Sequence, residues 1–324
     1  MNNHLKKHPN ILILGKMPPP IGGVTVHVER LLGYLEKNGF CFRFLKINIL
    51  NLLLIKIHIL RYKIIHLHTS NIYVMLWVCL TSNLLFKKLI ITFHGDLNRY
   101  NDRDLKIVKL ILKHTTIPVL LNKGSFETAI KINNKSLLIS AFIPPFNEKP
   151  LSKDIINKIY KLKKDCEFVF ATNASSLTYD KFNNEIYGII DLIKYFKSNN
   201  NLALIISDPS SKYKEFIELN NIALKPNILL INDSHSFFEV LNLVNASIRN
   251  TSTDGDSLSV RESIFLGKLT FATDVVSRPK GTITYSRGSY KFSSYQDFVN
   301  EFQDTKNQIK LPNYNLILDV YKSL

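Results

Sequence analysis

Short apolar strands alternate with amphipathic helices from one end of this 324-residue chain to the other. The first apolar run is Ile11–Gly15, a helical pattern that Gly39 ends comes next, and the alternation continues to the run Leu269–Val275. Continuously apolar strands separated by helices are typical of parallel sheets that carry helices on both faces. The sequence therefore predicts an α/β protein built from doubly wound parallel sheets.

The alternation stops near Pro144–Pro150 and restarts with a polar helix, Ser152–Lys164. Since 324 residues exceed one ordinary core, we predict two Rossmann-like domains that face each other across a cleft. Their bounds are residues 1–148 and 149–310, and residues 311–324 form an amphipathic C-terminal helix. Ligands of such folds bind at the carboxyl ends of the strands, so the candidate residues are sought there.

The composition is strongly basic, with a net charge of +16. A positive charge favours anionic partners, which include phosphates, nucleic acid and an acidic membrane face. Lysines scattered among many Ile and Asn residues also fit a coding bias. No RNA-binding signature or zinc-finger spacing occurs, and nucleic acid is therefore not expected as a partner. Three distant cysteines in apolar contexts, Cys41, Cys79 and Cys166, predict buried free thiols in a reducing compartment.

Two apolar segments bear on membranes. The window Asn71–Phe86 is too short to span a bilayer and is interrupted by polar residues, which favours a core helix. The stretch Ile47–Lys63 is apolar with cations at its end, and it predicts either a second core helix or a helix lying on a bilayer surface. The apolar run near the N-terminus is too short for a signal peptide.

In the first half of the chain, two strand ends carry candidate residues. Gly22 and Gly23 follow the first strand and open a helix, where backbone amides favour an anion; a turn that simply requires glycine is the alternative. His94 ends a later strand and is suited to donate to a sugar hydroxyl or a phosphate, whereas Asp96 fits a helix cap. His66 and His68 share a strand face, but no carboxylate or cysteine completes a metal site.

In the second half, the stretch Ser252–Asp274 concentrates charge before an apolar segment. Asp254 lies on the loop before a helix and Glu262 in its early turns. The backbone amides around Ser257, Leu258 and Ser259 lie between the two acids and suit a diphosphate. The residues from Ser259 to Glu262 also fit a capping box, so a diphosphate site and an ordinary helix cap both stay open as interpretations at this point.

Together these stretches resemble the retaining nucleotide-sugar glycosyltransferases of family 4, which have the GT-B fold. Gly22 and Gly23 match the glycine pair of that family, and His94 with Gly95 matches its strand ending in His-Gly. Glu262 matches the second acid of its E-x7-E motif, and Asp254 replaces the first. Gly267 and Asp274 match the family's helix-ending glycine and strand-ending acid.

The resemblance implies roles for these residues. Glu262 would bind the ribose, Gly23 and the loop of residues 256–259 would hold the diphosphate, and Asp254 and His94 would contact the donor sugar. The family uses an Arg and a Lys against the diphosphate. Here Lys181 fits the lysine and Asn173 stands in the place of a charged group. A further cation near the phosphates is Arg278, although a surface role fits it equally. No metal or other cofactor is implied.

The resemblance also implies the reaction and its setting. A hexosyl group would move from a nucleotide-sugar to a lipid-linked or oligosaccharide acceptor with retention of configuration, in lipopolysaccharide or capsule synthesis. Such enzymes are cytoplasmic and peripheral on the anionic inner face of the cytoplasmic membrane. In the family, the last helix crosses back to the first domain. The alternatives are a non-catalytic scaffold or binding protein of the same fold and a nucleotide-sugar isomerase.

Overall fold

A computed structural model of the chain describes residues 10–48, 52–146, 148–180, 182–290, 292–299 and 313–324. The chain divides into two compact units. The first combines Met1–Phe146 with Pro312–Leu324, and the second is Asn147–Leu311. The sequence-based division places the corresponding boundaries at residues 148 and 310.

The first unit contains a six-stranded parallel sheet in the order β2-β1-β3-β4-β5-β6. The strands are β1 Ile11–Gly15, β2 Phe42–Lys46, β3 Ile64–His68, β4 Lys88–Phe93, β5 Ile117–Leu120 and β6 Leu137–Leu138. The helices are α1 Gly23–Lys37, α2 Leu52–Arg61, α3 Ile72–Leu84, α4 Asp102–His114, α5 Lys123–Ile130 and, from the end of the chain, α11 Leu316–Ser323. Every residue of β1 and β3 is buried, which explains why these strands are uniformly apolar apart from two histidines.

Alternate residues of the strands pack against different helices. Ile11 and Ile13 belong to a core with α1 and α11. Leu12 and Leu14 belong to a second core with α2, α3 and α4 on the other face of the sheet. The C-terminal helix α11 thus completes the first unit, and its Tyr321 is fully buried.

The second unit contains another six-stranded parallel sheet, in the order β12-β11-β10-β7-β8-β9. The strands are β7 Phe168–Asn173, β8 Leu202–Ser207, β9 Ile228–Ile231, β10 Ala246–Arg249, β11 Leu269–Thr273 and β12 Ile283–Tyr285. The helices are α6 Lys153–Asp165, α7 Ile189–Ser198, α8 Lys212–Leu219, α9 Phe237–Leu243 and α10 Leu258–Phe265. Because every strand is parallel, all six carboxyl ends meet at one edge of the sheet.

The structure differs from the sequence-based expectation in three elements. The strand expected over residues 136–145 shortens to Leu137–Leu138, and the buried residues that follow are irregular up to Pro144 and Pro145, which lack a backbone donor. Helix α5 and strand β12 were not predicted, since both are short and lack a strong apolar period. All three cysteines are free thiols, but only Cys79 is buried, and the prediction for Cys41 and Cys166 is wrong.

No helix among the described residues is both long enough and apolar enough to cross a bilayer.

Candidate functional site

Most helices that follow a strand begin with backbone amides already bonded to a side chain. The N-cap residue of helices α3, α4, α5, α6 and α9 is an Asn or a Ser. Its side-chain oxygen accepts a hydrogen bond from a backbone amide in the first turn of the helix. Glu185 accepts the first amides of α7, and Asp208 accepts amides in the first turn of α8. Helices α1 and α10 differ, because among the described residues neither has a side-chain cap.

The beginning of α10 therefore keeps its amide donors for another acceptor. The first intrahelical bond runs from Arg261 N to Ser257 O at 3.2 Å, so the amides of Leu258, Ser259 and Val260 have no acceptor within the helix. The Ser257 hydroxyl lies 3.0 Å from the Ser259 hydroxyl instead of capping the helix. Amides without an acceptor in the helix, together with the helix dipole, suit an anion at this position.

Glu262 lies in the second turn of this helix and is 4% exposed. Since the cap residue is Ser257, the capping box from Ser259 to Glu262 that the sequence also allowed is not formed. The residue at the capping-box position is Val260, which has no side-chain acceptor.

Asp254 lies on the loop between β10 and α10, and two arginines bind its carboxylate. Arg249 donates from Nε at 3.0 Å and from Nη2 at 3.1 Å, and Arg278 donates from Nη1 at 2.8 Å. All three side chains are largely buried. Burial alone would raise the pKa of Asp254, but the two guanidinium groups outweigh it and lower the pKa to about 2.

This arrangement adds a residue that the sequence analysis missed. Arg249 ends β10, and its guanidinium also lies 5.1 Å from the ring of Tyr187. Arg278, suggested as a cation beside phosphates, does lie at the carboxyl end of β11, where it also donates to Thr273 O at 2.8 Å. The sequence feature that could have singled out Arg249 is its position at the carboxyl end of a predicted strand, where ligands of this fold bind. A contact of Asp254 with a donor sugar stays a prediction, since its carboxylate already accepts from the two arginines, from Gly255 N at 3.1 Å and from Thr251 Oγ1 at 3.3 Å.

Other expected residues lie along the same edge of the second sheet. Asn173 ends β7, and its Oδ1 is buried with no hydrogen-bond partner in the described part of the chain. Asp274 follows β11 and accepts from Ser286 Oγ at 2.7 Å. Lys181 lies outside the described residues. An unsatisfied buried amide oxygen is unusual, and it indicates a group that a ligand could complete.

A cavity of about 640 Å³ opens beside these strand ends. Residues after β7, β10 and β11 line it, among them Tyr179, Ser252 and Val275, and Arg287 lies at its wall. The hydroxyl of Ser252 is buried at this wall, close enough to Asp180 to help lower the pKa of its carboxyl group. The cavity has a polar lining and a volume within the range of small-molecule sites, although Asp254 and Glu262 do not line it.

In the first unit, α1 begins directly after the loop that follows β1. Val26 N makes the first intrahelical bond to Gly22 O at 3.0 Å, which leaves the amides of Gly23, Val24 and Thr25 without an acceptor inside the helix. A side chain at Gly23 would meet no atom within 4 Å, so this helix beginning is open to an incoming group. Gly22 N itself donates to Thr25 Oγ1 at 3.0 Å, so the amides left without an acceptor in this helix begin at Gly23.

Four histidines gather at the carboxyl ends of β3 and β4. His66 and His68 have ring centroids 4.0 Å apart, and His68 Nδ1 lies 3.2 Å from His94 Nε2. His27 of α1, which the sequence analysis did not select, joins them with its Nδ1 donating to Ala141 O at 2.6 Å. His66 is bonded to Thr92 and Tyr321 and so supports the packing of α11.

The ring nitrogens of His27, His68 and His94 lie within 4.8 Å of one another, close enough to share a metal ion. No carboxylate or thiolate joins this group among the described residues. The expectation that Asp96 is a cap is confirmed, since its Oδ1 accepts Asn98 N at 2.9 Å. His94 stays a candidate for contacting a sugar, and the residue is not completely buried.

Burial keeps all four histidines neutral near pH 7. It lowers the pKa of His27 to about 4, and it holds the pKa values of His66, His68 and His94 well below their usual range. In the unfolded chain these rings take up a proton near pH 6.5, whereas in the folded chain they do so only at lower pH. Stability is then complete above about pH 6.5 and declines as the pH falls.

We expect the first unit to lose stability between about pH 6.5 and 4, with His27 alone contributing about 3 kcal/mol to the loss. Thermal unfolding followed across that range measures the effect. His68→Gln should reduce the pH dependence, and His114→Gln, at an exposed position, should leave it unchanged. Equal unfolding temperatures at both ends of the range would contradict the neutral cluster.

No protein-family model and no curated protein sequence matches the chain. Solved structures match its fold. Anabaena HepE (Alr3699) in complex with UDP and glucose has a TM-score of 0.70 and 13% identity, covering 98% of this chain and 100% of that one. A protein assigned as a UDP-N-acetylglucosamine 2-epimerase from Listeria monocytogenes has a TM-score of 0.61 and 13% identity, covering 98% and 96%. The lipopolysaccharide outer core galactosyltransferase WaaB has a TM-score of 0.53 and 13% identity, covering 93% and 91%.

At these identities the likeness concerns the fold. It extends over nearly the whole length of each protein, and it agrees with the two six-stranded parallel sheets and their flanking helices. The chain therefore has a two-domain, Rossmann-like fold of the GT-B type, and the predicted fold class is confirmed.

Proposed function

We propose that this protein is a glycosyltransferase that takes its sugar from a nucleotide-sugar donor. The observation that carries the proposal is the beginning of α10, where amides without a side-chain cap lie close in sequence to the buried acids Asp254 and Glu262. Arg249 at the end of β10 and Arg278 after β11 bring two buried guanidinium groups to Asp254. Amides and cations suit a diphosphate, and a carboxylate suits the paired hydroxyls of a ribose. HepE and WaaB, which share the fold, add support, since HepE was solved with UDP and glucose and WaaB is a galactosyltransferase.

In the proposed reaction the nucleoside diphosphate leaves from the anomeric carbon of the sugar. Negative charge builds on the phosphate, and the amides of Leu258 and Ser259 with the helix dipole stabilise it. Arg249 and Arg278 add positive charge beside the same loop. Glu262 accepts the ribose hydroxyls, and neutral His94 donates to a hydroxyl of the sugar. The amide donors at Gly23 are available to a phosphate group.

We further propose the finer assignments that the family resemblance implies. The transfer retains the configuration of the anomeric carbon, needs no metal ion and belongs to family 4. The acceptor is a lipid-linked or oligosaccharide glycan of a surface polysaccharide. The enzyme works in the cytoplasm at the anionic inner face of the cytoplasmic membrane. The positive charge of the chain supports that location, because anionic lipids attract basic surfaces.

A second candidate is a nucleotide-sugar isomerase of the same fold. The Listeria monocytogenes protein assigned as a UDP-N-acetylglucosamine 2-epimerase favours it, since its likeness spans 98% of this chain. The two reactions differ in their need for an acceptor. An isomerase converts its nucleotide-sugar without one, whereas a transferase releases the nucleoside diphosphate and joins the sugar to another molecule.

A panel of nucleotides and nucleotide-sugars tests the proposal through the temperature of unfolding. We expect one donor to stabilise the protein by about 3 kcal/mol at a concentration roughly one hundred times its Kd, because it binds the folded state only. The free sugar serves as the control and should have no effect. Incubation of that donor with and without acceptor glycans then separates transfer from isomerisation. A complete panel without a stabilising ligand would contradict both functions.

A further inference from the structure

Helices α2 and α3 expose apolar side chains on the side that faces away from the sheet. On α2 the exposed residues are Leu54, Ile57 and Leu60, spaced three apart, while Ile55 and Ile59 pack against the core. A surface helix of a globular protein normally carries polar residues on its outer side. Helix α2 is therefore apolar on both sides, and its outer side has no partner within the described chain.

Helix α3 continues this surface. It contains no charged residue, and its exposed apolar side chains are Tyr73, Leu80 and Leu84. The end of α2 touches the turn after α3, where Lys87 Nζ donates to Leu60 O at 2.8 Å. Both helices pack on the same face of the sheet, so their exposed sides point away from it together. We call this surface, with Phe86, the α2–α3 apolar face.

Phe86 is the most exposed residue of the face, at 94%. It follows α3 in a left-handed backbone conformation, with φ at 52°. Phe86 N donates to Asn83 O and Lys87 N donates to Ser82 O, the bond pattern in which glycine normally occupies this position. A phenylalanine here strains the backbone and packs against almost nothing. A contact outside the chain would account for its presence.

The charge around the face is of one sign. No Asp or Glu occurs between Glu36 and Asp96, whereas eight Lys and Arg residues do. Several of these cations are exposed, among them Lys56 and Arg61 of α2 and Lys88, which begins β4 directly after the turn that follows α3. Two copies of the chain that met through this face would bring like charges together, which opposes dimerisation. An anionic bilayer instead satisfies both the apolar side chains and the surrounding cations.

We propose that the α2–α3 apolar face is the surface by which the protein docks on an anionic lipid bilayer. This inference rests on the membrane partner proposed above and assigns that partner to named residues. Phe86, Leu60 and Leu84 enter the boundary between headgroups and acyl chains, and the lysines and arginines around them bind lipid phosphates. From the sequence, α2 was either a core helix or a helix on a bilayer surface. In this proposal its inner side packs against the core and its outer side contacts the bilayer.

Trp77 gives a direct measurement, because it is the only tryptophan of the chain and lies half-buried on α3. Purified full-length protein is mixed with vesicles of phosphatidylcholine alone or with added phosphatidylglycerol. We expect a blue shift of Trp77 emission and co-flotation with the anionic vesicles only, and release by salt. Equal binding to both lipids would overturn the proposal.

Phe86→Gly separates docking from folding. It relieves the left-handed strain, so the temperature of unfolding should rise, while affinity for anionic vesicles should fall roughly tenfold. The triple change Leu54→Ser, Ile57→Ser, Leu60→Ser should abolish flotation, and Leu219→Ser, at a leucine of α8 that is even more exposed, should not alter it. Undiminished vesicle binding by Phe86→Gly and the triple variant would overturn the assignment, as would a concentration-dependent dimer without vesicle binding.

The test does not depend on turnover. Donor binding, followed by thermal stabilisation, should be the same in the wild type and in Phe86→Gly. Vesicle binding without any donor binding would support the α2–α3 apolar face as the docking surface and contradict the transferase function. Donor binding without vesicle binding would contradict the docking surface and leave the transferase function supported.

Discussion

Replacing Asp254 by asparagine is expected to lower the free energy of unfolding by about 3 kcal/mol, because it leaves two buried guanidinium groups without their counter-charge. The carboxylate accepts three bonds of 2.8 to 3.1 Å from Arg249 and Arg278, whose side chains are 13% and 3% exposed. Asparagine has nearly the same shape, so the loss reports charge and hydrogen bonding, not packing. Chemical denaturation of the purified variant measures it.

The same pair of arginines sets a pH dependence. The pKa of Asp254 is about 2 when folded and near 3.9 when unfolded, so its contribution is complete above about pH 4 and is lost as the pH falls towards 2. Asp191→Asn is the matched control. Asp191 pairs with Arg287 at 3.1 Å but is 42% exposed, and its loss should change stability by less than about 1 kcal/mol. Unchanged stability in Asp254→Asn, with donor binding abolished, would assign the carboxylate to the sugar instead.

Much of the fold could be predicted from the sequence because its strands are buried on both sides. Runs such as Ile11–Gly15 and Leu202–Ser207 are apolar without alternation, and that pattern belongs to parallel sheets. Helix α5 was missed since only Phe126, Ala129 and Ile130 are apolar among its eight residues, and strand β12 since three residues are too few to establish a period. Prediction is weakest where an element is short and near the edge of a sheet.

The site was predictable in its backbone and less so in its side chains. The beginning of α10 can be predicted from the local sequence, because a charged loop and the N-cap residue Ser257 precede the helix. The partners of Asp254 do not follow, because Arg278 lies 24 residues along the chain and reaches the carboxylate only through the sheet. His27 was overlooked for a similar reason: on an amphipathic helix it looks like an ordinary polar residue, yet it is 6% exposed among other histidines.

The exposed side of α2 shows a different limit. Its sequence has apolar residues on both sides and few polar ones, which is compatible with a core helix or with a helix on a bilayer. Only the positions of the neighbouring strands decide that Ile55 and Ile59 face inward, and that Leu54, Ile57 and Leu60 remain outside.

Replacing Glu262 by glutamine is expected to weaken donor binding by about 2 kcal/mol, roughly thirtyfold, and to reduce transfer at least as much. A carboxylate accepts two ribose hydroxyls with its charge, whereas an amide offers one neutral oxygen. Ser263→Ala is the control on the same helix. Ser263 is fully buried and accepts from Thr270 Oγ1 at 2.8 Å, so its loss should affect stability and leave the affinity for donor unchanged.

The most direct test of the central claim is a thermodynamic cycle between Glu262 and the ribose. The nucleoside diphosphate that binds best, and its analogue lacking the ribose 2′- and 3′-hydroxyls, are titrated calorimetrically into the wild type and Glu262→Gln. We expect the hydroxyls to strengthen binding to the wild type by about 2 kcal/mol and to have little effect in the variant. Equal losses in both proteins, or a Kd that Glu262→Gln leaves unchanged, would show that the ribose binds elsewhere.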